Sequence, residues 1–296
     1  MQRFGSIGFE TLLWVCATGL SWSALAAEDP AATLRAKHVA LAEQLSQNQF
    51  QRPLVLESVE NTSQLTGDIY AVMAYPFVDV SAALNNPDHW CDVLILHINT
   101  KYCHARTGLA GTVLRVHIGK KTPEPVADAA RLEFQYSTVL TNPTYFQIQL
   151  SAKEGPLGTR DYRIQLEGVA LPNAMTFLHL TYSYGFNFMG RLGMQTYLAT
   201  GGRGKVGFTL SGRQVDGQPD YIGGVRGLME RNTMRYYLAI DAYMASVRIA
   251  PEAQLEHRLR HWFTAAEGYP RQLHEVDQQA YLEMKRAEYL RQQNAD

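Results

Sequence analysis

Cys91, His97, Cys103 and His104 are the residues of this 296-residue chain whose types could together hold a zinc ion. Their spacing follows no closed-site pattern, and neighbours such as Cys103 and His104 point to opposite faces if they lie in a strand. The leading reading of Cys91 and Cys103 is a disulfide, with zinc as its rival; they are the two cysteines left once a leader carrying Cys16 is removed. His257 and His261 are spaced i, i+4 on a predicted helix, but the Arg-Leu-Arg between them lacks the glutamate of a zincin motif, so a solvated stripe is expected. Residues 202–207 read Gly-Arg-Gly-Lys-Val-Gly and match the G-x-G-x-x-G pattern. A phosphate cradle requires a strand before and a helix after; strand signals on both sides make this a hairpin. No nucleophile elbow, zincin helix or Cys/His signature is visible. The sequence therefore offers no catalytic constellation and implies neither a metal nor a cofactor.

The elements that would position any site begin after a leader. Arg3, an apolar run over residues 12–20 and Ala24-Leu25-Ala26 read as a secretory signal peptide, residues 1–26, cleaved before Ala27. The apolar core is shorter than the roughly 20 residues of a membrane span, and the expected location is the periplasm. A net charge of −1 and the lack of any basic tract exclude an electrostatic nucleic-acid binder, while 46% hydrophobic residues suffice for a substantial core.

Asp29-Pro30 reads as an N-cap and first helical residue, and Leu34, His38, Leu41 and Leu45 then share one face. Residues 54–56 could form a short strand and residues 68–74 a longer one. Val80 and Leu84 mark a short helix broken at Asn86-Pro87, with a second holding Trp90. Strands are then predicted over 97–106, 112–118, 131–140, 145–152, 162–169, 176–184, 194–198 and 206–210. Phe134, Tyr136 and Thr138 alternate with Glu133, Gln135 and Ser137, as expected for an antiparallel sheet solvated on one face, and Gly/Pro/Asn turns between strands imply a meander. A long amphipathic helix follows over 227–248, then two more: one from Pro251 carrying Leu255, Leu259, Trp262 and Phe263, the other over 275–292.

The run strand, Tyr75-Pro76-Phe77, Val80, Leu84, Asn86-Pro87 and Trp90 resembles the opening of the START-like (SRPBCC, helix-grip) superfamily. The resemblance implies an α+β fold, an antiparallel meander sheet curved around a long C-terminal helix, with extra N- and C-terminal helices. It covers roughly residues 67–247. The organisation expected is a leader (1–26), an N-terminal helix and lead-in (27–66), a helix-grip domain (67–248) and a C-terminal helical extension (249–296).

The resemblance further implies a hydrophobic cavity between sheet and helix. Tyr182 and Tyr184 share one strand face and Tyr236, Ile240 and Tyr243 the helix, so these five are candidate ligand-binding residues, with simple core packing the plainer alternative and Trp90 closing one end. Arg226, Glu230, Arg231 and Arg235 are expected to form local surface pairs or hydrogen bonds to backbone; one of them could instead hold a ligand head group at the mouth, and Arg226 is the candidate taken. The leading function is noncovalent binding and carriage of an apolar or amphipathic ligand, a lipid or isoprenoid. The alternatives are a cyclase- or hydrolase-type enzyme using the same cavity, and an assembly protein with a filled cavity whose C-terminal helices meet a protein partner. Converging titratable groups with shifted pKa would favour the enzyme, and an exposed apolar stripe on residues 253–263 the assembly protein.

Overall fold

Alternation along the chain is realised as one eight-stranded antiparallel sheet, seen in a computed structural model that describes residues 1–2, 29–199, 202, 204–213 and 217–294. Most of the expected leader, its cleavage point and Arg203 lie outside the described residues. Strands β1 (Leu54–Glu60) and β2 (Gln64–Met73) form a hairpin. After two short helices come β3 (Thr100–Gly108), β4 (Gly111–Ile118), β5 (Ala130–Asn142), β6 (Tyr145–Glu154), β7 (Thr159–Leu171) and β8 (Met175–Phe186). These six run as a meander, and β8 returns to pair with β2, giving the order β1-β2-β8-β7-β6-β5-β4-β3. Side chains at alternate positions face one side: Ile164 and Tyr182 are paired across β7 and β8, as are Leu166 and Leu180, and all four are buried.

The two short helices are α3 (Phe77–Leu84) and α4 (Pro87–Leu94), with Val80, Leu84 and Trp90 buried. Asn86 stops one and starts the other: its side chain accepts from the Asp88 N–H at 3.0 Å, and Pro87 fills the first helical position. Trp90 donates its indole N–H to the Leu84 carbonyl at 2.8 Å, so the buried ring leaves no unmet donor. Cys91 and Cys103 are disulfide-bonded, tying α4 to β3. Closing so short a loop is worth about 3 kcal/mol in the chain-entropy account.

The long helix α6 (Gly224–Met244) lies against β1, β2 and β8. Gly67 on β2 permits its close approach, because a β-carbon there would fall 2.2 Å from the Thr233 hydroxyl and 3.2 Å from Met229 Cγ. Helices α1 (Pro30–Ala40) and α2 (Ala42–Ser46) follow the Asp29 cap, whose carboxylate accepts from the Ala31 N–H at 3.1 Å. They do not stand apart from the sheet. Leu34, Leu41 and Leu45 pack on Val55, Tyr145, Val169 and Phe177 of its outer face, so that face is partly covered rather than solvated.

Two expected strands are corrected. Residues 194–198 belong to α5 (Phe188–Ala199), whose start is capped by Asn187 accepting from the Gly190 N–H at 2.9 Å. Residues 206–209 are loop, and the strand comes later as β9 (Leu210–Arg213), paired with β10 (Pro219–Tyr221). A helix therefore precedes the glycine motif and a short strand comes after it, so it is neither the expected hairpin nor a phosphate cradle, which needs the reverse order.

Past α6 come α7 (Pro251–Glu267), α8 (Pro270–Leu273) and α9 (Gln278–Gln293). Trp262 of α7 stacks on Tyr281 of α9 at 4.9 Å and donates to the Arg235 carbonyl at 3.2 Å; Tyr281 donates to the Leu96 carbonyl at 2.8 Å. The apolar stripe on α7 is thus covered by the chain's own helices. No helix among the described residues is long and apolar enough to cross a membrane.

Candidate functional site

Between the inner face of the sheet and the N-terminal half of α6 lies a cavity of about 280 Å³. Alternation in β7 and β8 brings Tyr162, Tyr182 and Tyr184 to it; Tyr162 stacks on Tyr184 at 5.1 Å, and Tyr182 meets Tyr236 of α6 edge-on at 5.0 Å. Leu132, Phe134 and Ile118 come from β5 and β4. Leu228 and Asn232 lie on successive turns of α6, and Met194 on α5. Leu157 joins the lining from a turn between β6 and β7, in a left-handed conformation (φ 56°) that leucine seldom adopts. Gly190 and Gly193 let α5 sit close to that turn: a β-carbon at Gly190 would be 3.2 Å from the Gly158 carbonyl.

The polar groups gather at one end. His97, in the turn after α4, is only 3% exposed and packs on the Tyr236 ring at 4.8 Å. Its Nδ1 accepts from the Asn99 N–H at 3.2 Å, while its Nε2 is buried without a hydrogen-bond partner. Burial, then the charges of Arg235, Lys285, Lys121 and Lys101, push its pKa well below 6.5, so the ring is neutral and carries its proton on Nε2. Lys121 and Arg235, which also line the cavity, share Glu275 at 2.7 and 2.6 Å, and Lys205 approaches the same carboxylate at 3.9 Å.

Behind His97 lies a wholly buried ionic cluster. Lys285 donates to the carbonyls of His97 and Thr100 at 2.8 and 2.7 Å and pairs with Glu288 at 2.8 Å; Lys101 meets the other Glu288 oxygen at 3.0 Å. Burial lowers the Lys285 pKa to about 8. The cluster fastens α9 to the start of β3 and, through the His97 carbonyl, fixes that turn of backbone.

Of the seven ligand-binding candidates, Tyr182, Tyr184 and Tyr236 line this cavity. Trp90, Ile240 and Tyr243 are buried in the core without lining it, Tyr243 lying beneath the Arg258 guanidinium at 4.4 Å. Arg226 is away from it, donating to Ser58 at 2.7 Å. Near the start of α6 the surface placement is corrected, since Glu230, Arg231 and Arg235 are buried, while the backbone alternative holds for Arg231, which donates to the Val206 carbonyl at 3.2 Å, and for Glu230. The Glu230 carboxylate accepts from Ser58, Thr209 and the Phe208 and Thr209 N–H groups, which anchors the loop before β9.

Asn99, Lys121, Tyr162 and Asn232 were not singled out by the sequence as site residues; His97 was named only for the rival zinc site, and Arg235 only among the four charged residues near the start of α6. Tyr162 could have been, because it falls in phase with Ile164 and Leu166 on β7. His97 sits in a turn, where no periodicity marks direction. The zinc rival is overturned by the disulfide, and among the described residues no group of His, Cys, Asp or Glu is arranged to hold a metal. His257 and His261 are half-buried on α7, with His261 paired to Asp241 at 3.3 Å. On the outer face, His179 bridges Asp68 at 2.9 Å and Glu167 at 2.8 Å. Burial lowers its pKa, but the two carboxylates raise it further, giving a net upward shift and an imidazole with both nitrogens engaged.

No family model and no curated protein sequence matches the chain. Among solved structures it is similar to a START superfamily protein from Mycobacterium smegmatis, at 12% identity and a TM-score of 0.31 over 43% of this chain and 79% of that one. The Zhui aromatase/cyclase from Streptomyces sp. R1128 aligns at 11% identity and 0.32 over 70% and 95%, and human StAR-related lipid transfer protein 5 at 9% and 0.34 over 57% and 90%. The assignment itself rests on the topology: a strand, two short helices, a six-stranded meander returning to that strand, and a long helix across the inner face. The chain has the START-like, helix-grip fold.

Proposed function

We propose that the protein binds a small apolar or amphipathic molecule noncovalently in the cavity between the sheet and α6. The observation that carries this reading is the cavity itself, about 280 Å³, walled by tyrosine, leucine and phenylalanine with a few polar groups at one end. That composition suits a small-molecule site, where apolar burial supplies affinity and a few polar groups supply orientation. The volume lies at the lower edge of the usual range of roughly 300–1,000 Å³, which favours a single ring system or short chain over a two-chain lipid.

Titratable groups do converge there, as an enzyme would require, but their shifts run away from neutrality. Burial drives His97 down and Tyr182 and Tyr236 up, so neither a base nor an acid poised near pH 7 results. Binding and carriage is therefore the reading to prefer over catalysis. Residues 1–26 and the Cys91–Cys103 disulfide support carriage in the periplasm, since disulfides persist in oxidising compartments. Extraction of the purified, natively secreted protein with organic solvent, followed by mass spectrometry, should release one small apolar species near stoichiometric amount. Recovery from the cytosol with its leader intact and an extract free of such a species would contradict the proposal.

A further inference from the structure

We infer that the cavity's ligand carries an anionic oxygen head, of the carboxylate kind, received by His97 at the Lys121 and Arg235 end; the inference rests on the binding reading above. An unsatisfied buried donor is costly, on the order of 1–3 kcal/mol, and native interiors seldom keep one without a use. His97 keeps one. Its Nδ1 is committed to the Asn99 N–H, its Nε2 has no partner, and the residue lines the cavity at 3% exposure. A neutral imidazole with Nδ1 accepting can only donate from Nε2, so the group it awaits is an acceptor.

The charge of the surroundings selects the kind of acceptor. Among the described residues, the ion pairs around this turn have Lys121, Arg235 and Lys205 sharing Glu275, and Lys101 and Lys285 sharing Glu288, so cationic groups outnumber carboxylates in these pairs. Lys121 and Arg235 themselves reach the cavity. A ligand cation would be repelled there, and an anion would gain charge-assisted hydrogen bonding in a site of low dielectric. The opposite end, with Leu157, Met194 and Tyr184, suits the apolar remainder.

Isothermal titration with octanoate, 1-octanol and octyltrimethylammonium separates head from tail, since the three share a chain that suits the cavity. Octanoate should bind about ten-fold tighter than octanol, and the ammonium weakest. That preference should fall to about three-fold or less in His97→Phe and in Lys121→Gln; the second keeps the test decisive if the first fails to fold. Equal binding of octanoate and octanol, a preference for the ammonium, or a preference untouched by Lys121→Gln would overturn the anionic head while leaving the apolar-binding reading intact. Binding of none of the three would instead defeat that reading.

Discussion

The imidazole of His97 lies 4.8 Å from the ring of Tyr236, a contact that joins the turn after α4 to α6 across the polar end of the cavity. Both groups are buried and both titrate away from neutrality, His97 downward and Tyr236 upward, because burial penalises the charged form of each. The contact is thus between two neutral donors at every physiological pH.

Long-range 1H–15N spectra should still show His97 as the neutral Nε2–H tautomer at pH 6.5, where an ordinary histidine is half charged. The linkage follows: below 6.5 the unfolded chain takes up a proton at His97 that the folded chain refuses, so this residue's contribution to stability is present above 6.5 and fades as pH falls. A titration midpoint at or above 6.5 would show the site to be wetter than described.

Lys285 should leave a signature at alkaline pH. Its ordinary value of 10.5 is lowered to about 8 in the fold, so between these values the unfolded chain binds a proton the folded chain lacks. Stability therefore rises with pH across that window, by up to about 3 kcal/mol from this group, and below pH 8 its full desolvation cost is present. Subtracting urea unfolding curves of Lys285→Met from wild type, pH by pH, isolates the effect from the tyrosines. A flat difference from pH 7.5 to 10 would contradict it.

Gly67→Ala should cost about 1–3 kcal/mol by forcing the Thr233 hydroxyl away, with Gly67→Ala/Thr233→Ala recovering part of the loss. The recovery is what a double-mutant cycle in urea reads; strictly additive losses would mean that α6 does not press on β2 at this point.

The parts of this fold that were legible in the sequence are those fixed by local rules. Asn86-Pro87 ends one helix and caps the next, Asp29-Pro30 opens α1, and alternation through Tyr182 and Tyr184 marks the inner face of β8. The disulfide partners followed from there being only two cysteines outside the expected leader. What stayed hidden depends on distant contacts. Residues 194–198 carry apolar and aromatic side chains between glycines and read as a strand, yet the Asn187 cap and packing against the Leu157 turn make them helical. The burial of Glu230, Arg231 and Arg235 reflects partners far away in sequence, such as Ser58 and Glu275, that no helical spacing reveals. The polar pole of the cavity draws Asn99, Lys121 and Arg235 from three separate segments, and only the fold juxtaposes them.

The central claim, an apolar cavity open to a small molecule under the first half of α6, is tested most directly by titrating the folded protein with naphthalene while recording 1H–15N spectra. Saturable one-to-one binding is expected, with the largest shifts at Tyr162, Tyr182, Leu228 and Tyr236. Leu228→Trp, which fills the space from its α6 wall, should weaken the affinity about ten-fold with the far-UV circular dichroism unchanged. The absence of saturable binding, or affinity unaltered in a folded Leu228→Trp, would contradict the account.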